Sequence, residues 1–128
     1  MNRPDPTEYA PYYGKYISLV SADDIIATLG QQIDDTMVFL GHLSEAQGEL
    51  RYAPGKWSIK EVIGHLVDAE RIFAYRALRI ARKDQTPLPG FEENDYVPNS
   101  NFGALRLEDL ADEYETVRKG NLYLLKQF

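Results

Sequence analysis

Ala53-Pro54-Gly55-Lys56-Trp57-Ser58-Ile59-Lys60-Glu61-Val62-Ile63-Gly64-His65-Leu66-Val67-Asp68-Ala69-Glu70-Arg71 contains the start and first half of a long helix. Ser58 and Glu61 form an S-x-x-E capping box, in which a hydroxyl and a carboxylate satisfy amides left free at a helix start. Beyond it Val62, Leu66, Ala69, Phe73, Ala77 and Ile80 recur at helical spacing. This predicts a helix over about 58–83 with that stripe facing a core. At 100° per residue His65 falls about 60° from the middle of the stripe, at the margin of the core. Trp57, a large ring beside the cap, is expected to staple the preceding connection, Gly48 to Gly55, onto the helix. Arg71 and Arg76 are expected at the flank or in solvent, where single charges contribute little.

Upstream, Ser21 followed by Asp24 marks another start, and Ala22, Ile25, Ile26, Leu29, Ile33, Met37, Leu40 and Leu43 predict a helix over about 22–43. His42 falls with the polar residues on its outer side and is expected to be solvated. The segment Pro4 to Val20 mixes prolines and Gly14 with Tyr9, Tyr12, Tyr13 and Tyr16. It reads as an irregular arm whose rings pack on a bundle. Downstream, Pro87, Pro89, Gly90, Pro98 and Gly103 break any helix over 84–106. That connection is expected to be an ordered loop whose Phe91, Tyr96 and Phe102 fold back over an open bundle end. A third helix over about 107–127 presents Leu107, Leu110, Ala111, Tyr114, Val117, Leu124, Leu125 and Phe128, with Asn121 as its polar member.

The 128 residues fit one domain, 1–128, with a modest core. Twenty acidic against 14 basic side chains give a net charge of −6, which repels phosphate backbones and anionic lipid and argues against nucleic-acid and membrane-surface partners. Without cysteine there is no disulfide, thiolate metal site or cysteine nucleophile, which suits a reducing compartment. No run approaches the roughly 20 apolar residues of a membrane span, and the first residues lack the apolar core of a signal peptide, so the cytoplasm is the expected location. P-loop, dinucleotide-binding and H-E-x-x-H patterns are absent.

Three long helices with wide apolar faces predict an all-α antiparallel bundle, and about four helices is the commonest way to close such a core. The last residues, Leu122-Tyr123-Leu124-Leu125-Lys126-Gln127-Phe128, stop inside an apolar turn with no glycine cap. One helix is therefore expected to be missing. It would cover about six apolar side chains at about 1.5–3 kcal/mol each, comparable with a whole domain's stability of about 5–15 kcal/mol. The chain continues past Phe128, a second copy fills the groove to make a homo-oligomer, or the three helices close on themselves.

The run from Ala53 to Arg71, with its W-S-x-x-E-x-x-x-H core, resembles the signature of the DinB-like, damage-inducible superfamily of four-helix bundles. The tyrosine-rich arm, the loop Phe91-Glu92-Glu93-Asn94-Asp95-Tyr96 and the start Leu107-Glu108-Asp109-Leu110 resemble members of the group as well. The resemblance implies a divalent metal, zinc or nickel, held by one histidine of the second helix and an H-x-x-x-H pair of a fourth. His65 matches the first ligand, and no segment here matches the pair. It also implies chemistry on a low-molecular-weight thiol, as transfer or thiol-dependent isomerisation.

From the residues themselves, Glu61 and Asp68 lie within reach of His65 on its own helix. A carboxylate accepting one imidazole N–H would leave the other nitrogen for a metal, and since Glu61 already caps the helix, Asp68 is the better orienting partner. A catalytic zinc takes three protein ligands plus water or substrate and lowers the pKa of a bound thiol or water. The alternative is a core-edge histidine paired with Asp68 or a loop carbonyl. At the level of function, a metal-dependent thiol transferase or related enzyme stands against a non-catalytic bundle that binds a small apolar ligand or a copy of itself.

Overall fold

The computed structural model describes residues 3–21 and 24–128. Three long helices, α1 (Ile25–Gly41), α2 (Ile59–Ala81) and α3 (Leu107–Leu125), carry the fold, and no strand occurs among the described residues. Each predicted helix is present with ends shifted by a few residues. Asp24, not Ser21, caps α1, its carboxylate accepting from the amides of Ile26 and Ala27 at 3.0 and 3.2 Å. Ala22 lies outside the described residues. Leu43 follows the end of α1 and packs on the core from there.

The α2 capping box is formed in both directions: Glu61 N donates to Ser58 Oγ at 3.2 Å, and Ser58 N donates to the Glu61 carboxylate at 2.7 Å. The first turn of α3 has no side-chain cap of its own. Glu45, from a short helical turn (Glu45–Gly48), accepts from Leu107 N at 2.9 Å instead. The same carboxylate pairs with the buried Lys60 at 2.5 Å, so the starts of α2 and α3 are tied side by side. Midway, Glu70 on α2 accepts from Asn121 at 2.8 Å and pairs with Arg118 at 2.6 Å on α3, and at the far ends Arg82 donates to Gln127.

These contacts rise together along both helices, so α2 and α3 run parallel. α1 opposes them, with Leu40 packed near Leu107 and Ala111 at one end while Gly30 approaches Leu122 and Gln32 meets Arg118 further along. The antiparallel arrangement expected from the sequence therefore holds for α1 against its neighbours, while α2 and α3 are joined by a crossover. The connection after α2 is long enough to return the length of a helix of about 30 Å. It is ordered, as expected, but runs along α2 rather than over an open bundle end, through helical turns at Glu93–Tyr96, Val97–Asn99 and Phe102–Ala104. Val97 is buried, and the Phe102 ring lies flat on Gly64.

The core is Leu40, Ile63, Val67, Leu107, Leu110, Ala111 and Tyr114. On α3 this is the first half of the predicted stripe, whereas Phe128 at its end is 46 % exposed. On α2 it is not: Val62, Leu66, Phe73 and Ile80 are 42, 41, 58 and 68 % exposed, whereas Ile63 and Val67 are buried. The widest apolar stripe of α2 faces outward because α3 and the crossover occupy the flanks around Ile63, Gly64 and Val67. The arm is also corrected. Tyr12, Tyr13 and Tyr16 are at least half exposed and gather on one another and on Lys15, because short helical turns at Pro11–Tyr13 and Gly14–Ile17 place Tyr12 and Tyr16 one turn apart.

Candidate functional site

α3 holds both α1 and α2, and the two flanking helices leave an open groove between them on the side away from the crossover. Its volume is about 640 Å³, its floor is Leu40, Ile63 and Tyr114, and its walls are Phe39 of α1 and Val62 and Leu66 of α2. Leu50, Tyr52 and Trp57, from the connection before α2, line it as well. Phe39, Leu50 and Tyr52 are 61, 59 and 84 % exposed. The walls are apolar because the α2 stripe read from the sequence as core-facing points here.

His65 lies one turn after Glu61, half-buried and outside the groove's lining. Its ring meets Trp57 at a centroid distance of 5.0 Å and an interplanar angle of 47°. Trp57 thus both lines the groove and fixes one face of the imidazole, a closer tie to the site than the stapling role read from the sequence. Among the described residues neither ring nitrogen makes a hydrogen bond. His42, in contrast, is exposed and its Nδ1 lies 2.7 Å from the carbonyl of Val38, in keeping with the solvated role expected of it.

The two carboxylates expected near His65 have other partners. Glu61 is taken by the cap and by Arg51, whose Nη1 and Nη2 donate at 2.5 and 3.0 Å, and that guanidinium holds its carboxyl below the usual range. Asp68 lies 4.0 Å from Arg71, itself paired with Glu113 at 2.5 Å. Burial pushes the Asp68 carboxyl up, and Glu113 adds to this while Arg71 and His65 oppose it. No hydrogen bond joins Asp68 to the His65 ring.

The donor set decides how far metal chemistry can be assigned. No group of three or more His, Cys, Asp or Glu side chains able to hold a metal ion occurs among the described residues. His65 supplies one nitrogen where a catalytic zinc takes three protein ligands, so the described residues do not by themselves fit the ion.

Sequence reading missed two features. The groove wall from Phe39 through Leu50 to Tyr52 joins residues of a helix and a connection, which no single periodicity reveals. Arg76, expected at a flank or in solvent, is half-buried, with its guanidinium carbon 5.6 Å from the Phe73 ring centroid and 5.5 Å from that of Phe91. No described helix is long and apolar enough to cross a membrane.

Comparison with known proteins adds one finding: the model of the DinB superfamily matches residues 28–128. Among curated proteins and among solved structures there was no match.

Proposed function

The chain belongs to the DinB superfamily, and from that premise we propose that its working surface is the open groove between α1 and α2, which takes an apolar partner: a small apolar ligand or the same face of a second copy. The observation that carries this is the run of large apolar side chains along the groove, Phe39, Val62 and Leu66 among them, each more than two-fifths exposed. Covering a side chain of this kind contributes about 1.5–3 kcal/mol when burial is complete. A contiguous apolar surface of this sort marks an interaction site in a soluble protein. Sedimentation velocity at micromolar concentration is expected to find a dimer, or a monomer that takes up an apolar fluorescent probe in competition with apolar ligands. A strict monomer that takes up no probe would overturn the reading.

A second reading, metal-dependent chemistry on a low-molecular-weight thiol, is favoured by one observation: the His65 ring packs on Trp57, a residue of the groove lining, with both nitrogens free of hydrogen bonds to described residues. On this reading His65 would be one metal ligand with its ring held by Trp57, Asp68 would have to turn from Arg71 to accept the other imidazole N–H, and the missing donors would arrive with the bound thiol and water. When bound, the metal would make a thiolate available near neutral pH. Metal content after equilibration with zinc or nickel in the presence of a low-molecular-weight thiol tests it. Stoichiometric metal in the wild type and at least a tenfold weaker affinity in His65→Ala, at an unchanged melting temperature, are expected. Equal metal content in the two proteins would remove His65 from any such site.

A further inference from the structure

On the other flank of α2 the first part of the crossover closes a separate pocket of about 240 Å³ over Ile72, with Leu88, Pro89, Phe91 and Tyr96 above it and Arg76 at its side. Arg76 is half-buried between the Phe73 and Phe91 rings, and its Nη2 donates to the carbonyl of Pro89 at 2.9 Å. No carboxylate reaches it among the described residues. The other arginines of α2 differ: Arg71 pairs with Glu113 and Arg79 with Asp84, each at 2.5 Å. In an acidic chain, none of the described carboxylates has thus been placed against this guanidinium.

Partial burial raises the cost of a charge that lacks a counter-ion. The two rings offset part of that cost through their faces but offer no lone pair to the remaining N–H groups. Those donors are the fork that binds a carboxylate through two parallel hydrogen bonds. The lining also holds Arg71, whose charge is met by Glu113, and is otherwise aliphatic and aromatic; the pocket is smaller than the roughly 300–1,000 Å³ typical of drug-sized ligands. Its dimensions match one ring or a short alkyl body.

We propose that this pocket binds a small organic monocarboxylate, with the carboxylate on Arg76 and the apolar body against Ile72, Phe91 and Tyr96. The site is independent of the α1–α2 groove and of any metal at His65, and its test leaves both of those readings untouched.

Benzoate, benzamide and inorganic phosphate are the probes, titrated into the full chain and followed by 15N-resolved NMR. Benzoate is expected to shift the Arg76 Nε–H signal and the amides of Leu88, Gly90 and Phe91. Benzamide, equally apolar and uncharged, should bind at least about tenfold more weakly, because it offers a single neutral acceptor oxygen. Arg76→Gln should weaken benzoate by about tenfold or more while circular dichroism keeps the wild-type helix content. The wild-type comparison of benzoate with benzamide needs no variant, so a poorly folded Arg76→Gln would not shield the proposal. Absence of benzoate shifts at this pocket, equal affinity for benzamide, undiminished binding in a folded Arg76→Gln, or phosphate binding as tightly as benzoate would each overturn it.

Discussion

Gly64 carries one of the tightest contacts in the molecule. A Cβ built on it would lie 2.3 Å from Phe102 Cγ, on the ring that pins the end of the crossover to α2. The neighbouring His65 is oriented by Trp57 on one side while Gly64 admits Phe102 on the other, so a glycine beside the histidine lets the crossover close on the helix. Overpacking typically costs about 1–3 kcal/mol. Gly64→Ala is therefore expected to destabilise by at least that amount in urea denaturation, even though alanine is the better helix former by about 1 kcal/mol. A stabilised Gly64→Ala would mean that the ring does not rest there. The run quoted at the outset contains Gly64, yet nothing in local spacing announces a partner 38 positions away. His65 was read as a core-edge residue from its angle to a stripe that in fact faces outward, and its half-buried ring is covered by Trp57 instead; that the ring stands free of Asp68 and Glu61 was not legible either.

At the scale of the element, helix ends show what a sequence can and cannot specify. The Ser58–Glu61 box was readable because both partners lie within four residues. The cap of α3, supplied by Glu45 across 62 positions, was not. At the far end of α2, Arg79 pairs with Asp84 at 2.5 Å, and with help from the Thr86 amide it lowers the Asp84 pKa from 3.8 to about 2. A carboxylate whose folded pKa is depressed contributes stability that is complete above its unfolded value. The contribution is lost as pH falls through the folded one. Asp84→Asn is accordingly expected to lower the urea midpoint near neutral pH, with the deficit shrinking as pH falls from about 4 to about 2. A deficit that stays constant over that range would show that the ion pair contributes nothing. Because Asp84 is solvent-exposed, the effect should be small and should shrink in high salt.

For the whole molecule, the arrangement of three helices decides what the surface can do. α3 contributes Leu107, Leu110, Ala111 and Tyr114 to the core between both neighbours. The apolar stripe of α2 is left to form one wall of the groove and Phe39 of α1 the other. Leu66→Glu places a charge in that wall without touching the buried side of α2. It is expected to abolish self-association or probe uptake at micromolar concentration while the far-ultraviolet spectrum stays that of the wild type. Unchanged association in that variant would move the interface elsewhere. The Glu70, Arg118 and Asn121 contacts hold α2 and α3 in register, which keeps the groove's floor and walls in fixed relation.

What depends on neighbours along the chain was readable from the residues alone: the three long helices, the capping box, the solvated His42 and the family likeness. These follow from periodicity and short-range hydrogen bonding, which need no knowledge of the rest of the molecule. Only the tertiary structure decided which face of α2 is core. That choice follows from the crossover running back along the helix, which makes α2 and α3 parallel and covers the flank at Gly64. The same packing turned Val62 and Leu66 outward and drew Arg76 between two rings, since the side of a helix that is buried depends on what arrives to bury it.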